Sequence, residues 1–154
     1  MFELTCHLID ALVTVLGPPK SVTAISHRSF PEKDDFADNQ LAVFDYEMAI
    51  ATIRCNHVDP LGFPRRQFSV TGTEGTLEIQ PLEPPIVRLG LDRARGNFKK
   101  GFQTIELPKA TGRYDAEFLD LAKIIRGEKE LAWDSAHDLA VHEAVLRGSG
   151  MDVD

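Results

Sequence analysis

Cysteine is nearly missing from this chain: Cys6 and Cys55 are the only two in 154 residues, too few for the disulfide framework of a small secreted domain. Long apolar runs are missing as well, and nothing approaches the roughly 18 residues of a membrane span. Basic charge is in deficit, with 17 Lys and Arg against 24 Asp and Glu and a net charge of −7. That balance argues against a nucleic-acid or anionic-membrane surface. Metal-ligand spacings of the HExxH or CxxC kind do not occur. The eleven glycines contain no G-x-G-x-x-G to cradle a pyrophosphate. No basic-then-apolar leader opens the chain, so a cytoplasmic location is the expectation. What is present is a composition 43% hydrophobic and 27% charged, which excludes disorder and supports one folded domain over 1–154.

The first apolar segment is ELTCHLIDALVTVL, residues 3–16, free of Pro and Gly and stopped by Gly17-Pro18-Pro19; it is expected to be a helix. Seven short runs rich in β-branched and aromatic residues follow, near 21–26, 40–46, 49–55, 67–71, 76–80, 86–91 and 102–107. Each is bounded by Gly, Pro, Asn or Asp, the punctuation of strands joined by turns. Gly72-Thr73-Glu74-Gly75 separates two of them closely enough for an antiparallel hairpin. The basic stretch DRARGNFKK, residues 92–100, reads as a solvated hairpin loop. Two helices are expected to close the chain. In residues 113–126, Tyr114, Phe118, Leu121, Ala122 and Ile125 recur at helical spacing, and residues 135–147 open with Ser135-x-x-Asp138 and end at Gly148. The sum is an α+β domain, with a mostly antiparallel open sheet of about six to eight strands and helices packed on one face.

One segment concentrates chemistry. At 100° per residue, Glu3, His7, Asp10 and Thr14 fall within about 60° of one another on the first helix. The rest of that helix is apolar, Ala, Cys or Thr, so it is expected to be buried nearly all round, with an acid–imidazole–acid row facing something specific. A histidine one turn from an aspartate is suited to move a proton near neutral pH. A half-exposed helix with His7 and Asp10 simply wet is the plainer alternative. His137 and His142 are five apart and point about 140° away from each other, so one helix cannot chelate one ion with both. A metal set of His7, Asp10 and His57 is a minor alternative. Cys55 reads as a small buried hydrophobe, with no partner base adjacent in sequence.

These residues resemble a known family. FELTCHLIDALVTVLGPPKSV, then FSVTGTEGTLEI, then HDLAVHEAVLRGSG are together similar to the C-terminal domain of the Gfo/Idh/MocA oxidoreductases, the glucose–fructose oxidoreductase and inositol dehydrogenase relatives. The resemblance implies that a full enzyme carries an N-terminal Rossmann domain binding NAD or NADP, absent from this chain. It implies a C-terminal domain that contacts a sugar, polyol or related CH–OH substrate and forms a homo-oligomer through its open sheet face. By the same resemblance, His7 accepts the hydroxyl proton while hydride passes to the nicotinamide. Asp10 orients the imidazole, and Glu3 stands where the family often has Asp. No cofactor-binding or metal-binding residue is expected in this chain. The alternative is a non-catalytic binding or dimerisation module of the same fold, in which alternate strand residues such as Ala42, Phe44, Ile53, Phe68 and Val70 form an apolar pairing patch on the open face of the sheet. The missing glycine loop predicts that the isolated chain leaves NAD(H) unbound. Titration calorimetry should give a flat isotherm, and a saturable one contradicts the reading.

Overall fold

A computed structural model describes residues 1–108, 112 and 114–153. Arg113, where the sequence spacing opens the first closing helix, lies outside the described residues. The element order is α1 (Phe2–Leu16), β1 (Ser21–His27), β2 (Asn39–Asp45), β3 (Ile50–Asn56), α2 (Gly62–Arg65), β4 (Phe68–Gly72), β5 (Gly75–Ile79), β6 (Val87–Leu91), β7 (Gly101–Ile105), α3 (Asp115–Ile125) and α4 (Ser135–Gly148). The α+β class and the seven expected strands are observed, each strand within about two residues of its sequence reading. The strands divide into two antiparallel sheets, β1-β2-β3 and β4-β5-β6-β7. The chain correspondingly packs as two compact units, Met1–Asp59 with Glu130–Asp154, and Pro60–Lys129.

In the first unit, strand alternation decides which residues meet the helices. Ala42 lies opposite Ala24 and Ile53, and Phe44 opposite Val22 and Ala51. Ala42, Phe44, Ile53 and Cys55 join Ile9, Leu12 and Val13 of α1 and Ala144 and Val145 of α4 in one buried core. Ala42, Phe44 and Ile53 are therefore core residues, which corrects the sequence suggestion that they line an open apolar face. Period-two alternation puts Ile25, Leu41, Val43 and Ile50 on the opposite face instead. Gly148 is small because α4 comes close: a Cβ there would sit 3.2 Å from Phe44 Cζ and 3.8 Å from Ile9 Cδ1.

A second correction concerns α1. It packs against α4 and β3, burying Thr5, Ile9, Leu12 and Val13, but it is not sequestered all round. Phe2, Leu4, Val15 and Leu16 are exposed, because within this unit only one side of the helix has a sheet and a helix to lie against.

The second unit is a four-stranded meander. Gly72 pairs with Gly75 around Thr73-Glu74, the expected hairpin. A Cβ on Gly75 would come 2.4 Å from the Gly90 carbonyl oxygen, so neighbouring backbone occupies the space a side chain needs. The basic stretch forms a tight turn closed by an Arg95–Phe98 bridge. Its guanidiniums grip the hairpin tip, with Arg95 at 2.6 Å and Arg93 at 2.8 Å from Glu74. The hydrogen bond and charge of Arg95 hold the Glu74 carboxyl below the usual carboxylate range. Helix α3 buries none of its described residues, leaving Phe118, Leu121 and Ile125 exposed. The four-residue α2 carries no periodic pattern and was invisible to the sequence reading.

Phe44 and Ile9 are fully buried. Phe44→Ala should lower unfolding free energy in urea by about 3–5 kcal/mol. Ile50→Ala, on the exposed face, should stay within about 0.5 kcal/mol. Equal losses at the two positions contradict this division of the sheet.

Candidate functional site

Helices α1 and α4 pack side by side on the three-stranded sheet, and a groove of about 400 Å³ runs along them. It is lined by Phe2, Cys6, His7 and Asp10 from α1, and by Trp133, His137, Asp138, Val141, His142 and Val145 from α4 and the turn before it. The stripe predicted on α1 thus faces a cavity. Its hydrophobic residues hold the helix on the core, so the polar stripe is turned toward the neighbouring helix and solvent.

His7 is exposed on the groove wall and among the described residues has no hydrogen-bond partner. Asp10 stands three residues on, along the same stripe. The hydrogen bond that Asp10 makes is to a different imidazole, with His137 Nε2–H donating to Asp10 Oδ1 at 2.9 Å. The side chain of Glu3 lies outside the described residues; its backbone is in the first turn of α1. Sequence reasoning therefore brought His7 and Asp10 to one place and missed His137.

His137 is held from several directions. Helix α4 is capped by Asp134, whose Oδ1 accepts the His137 backbone N–H at 2.9 Å; the cap is one residue earlier than Ser135-x-x-Asp138 suggested. The Trp133 indole stacks on the imidazole, with centroids 4.4 Å apart and planes at 25°. The His137 side chain is 14% exposed, against 52% for Asp10. His142 meets Phe2 edge-on at 6.4 Å.

Among the described residues the groove lining holds carboxylates and imidazoles and no Lys or Arg. That composition suits proton exchange with a hydroxyl-bearing ligand. It does not fit the pyrophosphate of a dinucleotide, which would face Asp10 and Asp138 with no cation to balance it. Among the described residues no three His, Cys, Asp or Glu side chains are grouped so as to hold a metal ion. The alternative set of His7, Asp10 and His57 is not assembled. The His57 ring packs edge-on against Phe36 at 4.9 Å, with Nε2 3.3 Å from Cys55 Sγ. Cys55 is 2% exposed and burial pushes its thiol up, as for the expected small buried hydrophobe; the expectation of no nearby base is corrected, since His57, two positions on, stands at its sulfur. No described helix is long and apolar enough to cross a membrane.

Comparison with known proteins gives one family and one fold. The profile described as the GFO/IDH/MocA C-terminal domain matches residues 1–78. No protein of curated function matches the chain. Among solved structures, UDP-N-acetylglucosamine 3-dehydrogenase GnnA from Acidithiobacillus ferrooxidans superposes with a TM-score of 0.76 at 17% identity, over 97% of this chain and 46% of that one. The yvaA protein of Bacillus subtilis, described as an oxidoreductase, gives 0.71 at 19% identity over 97% and 47%. The WlbA dehydrogenase from Bordetella pertussis, solved with NADH and UDP-GlcNAcA, gives 0.63 at 16% over 95% and 40%. The chain spans a little under half the length of these structures.

Proposed function

The chain belongs to the Gfo/Idh/MocA C-terminal domain family, and from that premise we propose that it is the substrate-side half of a nicotinamide-dependent oxidoreductase acting on a sugar, polyol or related CH–OH compound. The observation that carries the reading is His7, exposed on the groove and with no hydrogen-bond partner among the described residues, along the same stripe as a carboxylate held by a second helix. His7 takes the proton of the substrate hydroxyl at a ring nitrogen. Asp10 stabilises the imidazolium that results. Glu3, one helical turn before His7, belongs to the same stripe.

The dinucleotide, NAD or NADP, supplies the hydride acceptor and is held by a separate Rossmann domain, since this groove does not suit its phosphates. The exposed apolar side chains of α1, Phe2, Leu4, Val15 and Leu16, are fitted to contact with such a domain. On this reading the isolated chain is catalytically incompetent. GnnA is named for a UDP-sugar, and WlbA was solved with one. Were the substrate here of that kind, the groove would suit its sugar ring and leave the diphosphate elsewhere. The open face of the three-stranded sheet, with Ile25, Leu41, Val43 and Ile50, would carry pairing between copies in a homo-oligomer.

His7→Ala in the whole enzyme should lower kcat by about 10² or more and leave KM little changed. Steady-state kinetics showing near-normal kcat in that variant overturn the assignment.

A further inference from the structure

We propose that His137 is a positioning residue of the groove: its imidazole fixes the Asp10 carboxylate so that one oxygen is anchored and the other is left for His7 or the substrate. The proposal rests on the reading of His7 as proton acceptor and extends it to a residue on another helix, 127 positions away.

The argument runs from relative freedom. Asp10 is half exposed on α1, where a lone carboxylate has several staggered rotamers open to it and would turn to water. His137 has little such freedom. Its ring lies under Trp133, its backbone N–H is bound by Asp134, and little of its side chain meets solvent. Of the two partners at 2.9 Å, the imidazole is therefore the fixed one and the carboxylate the one being placed.

Anchoring uses one oxygen. His137 Nε2–H reaches Oδ1, and a carboxylate has acceptor capacity left over on its second oxygen. Among the groups placed to use it are His7, three residues back on the same stripe, and a ligand hydroxyl in the groove. When His7 takes a proton, the new positive charge forms beside a carboxylate whose orientation is already set, so no rotamer search accompanies the transfer. The Nε2–H of His137 is taken up by Asp10, which is why His137 positions and does not exchange the substrate proton.

Two measurements test this, one independent of any activity. In the isolated chain, nitrogen-15 NMR should show one slowly exchanging imidazole N–H that disappears in both His137→Phe and Asp10→Ala; no such signal in the wild-type chain overturns the pairing. In the whole enzyme, His137→Phe, which keeps a flat ring under Trp133 but has no donor, should lower kcat at least about tenfold with little change in KM. His137→Gln, which restores an N–H donor, should recover most of that loss. Equal kcat for the wild type and His137→Phe, with His7→Ala still inactive, overturns the positioning role and leaves the reading of His7 standing. If His7→Ala is also fully active, the reading of the groove falls and the role of His137 falls with it.

Discussion

Helix α1 has to satisfy two neighbours at once, and the candidate site follows from that constraint. Ile9, Leu12 and Val13 must lie against Phe44, Ile53 and the apolar side of α4, because their burial is worth roughly 1.5–3 kcal/mol for each large side chain. Once that face is fixed, helical geometry leaves no choice about where His7 and Asp10 go. They stand along the seam with α4, which answers with His137 and His142, and the turn before it adds Trp133. Gly148 permits the close approach that sets the seam, so a glycine at the far end of α4 bears on the spacing of groups that never touch it.

The chemistry of the groove is defined as much by the lack of cations among its described residues as by its histidines. Carboxylates and imidazoles can hold and pass protons, while phosphates need positive charge or free backbone N–H groups. The second unit has arginines in plenty, yet Arg93 and Arg95 are committed to Glu74 at a hairpin tip. The proposed division of labour, with the hydroxyl handled in this groove and the nucleotide by another domain, asks for such a distribution of charge. The relatives with this fold are about twice as long, a length that leaves room for such a partner.

What could be read from the sequence was what depends on near neighbours in the chain. Gly17-Pro18-Pro19 ends α1, the alternating runs become strands, and the i, i+4, i+7 stripe of Glu3, His7 and Asp10 needs only the helical repeat. The family resemblance also rested on contiguous motifs, which survive without knowledge of packing. What could not be read was pairing across distance. His137 meets Asp10 across 127 residues, and nothing local marks it except Trp133 and a cap at Asp134. The inner and outer faces of β2 were exchanged for a related reason: a strand's period says that Ala42 and Phe44 share a side, and only the helices laid over it decide which side is core. The exposure of one side of α1 likewise depends on what surrounds the helix, which its own composition does not state.

The most direct measurement of the central claim is a crystal structure of the whole enzyme with reduced dinucleotide and an oxidisable sugar bound together. The account predicts the reacting hydroxyl oxygen within about 3.2 Å of a His7 ring nitrogen, with Asp10 still on His137 and the dinucleotide phosphates outside the groove. A sugar bound away from α1, with His7 facing bulk water, would contradict it.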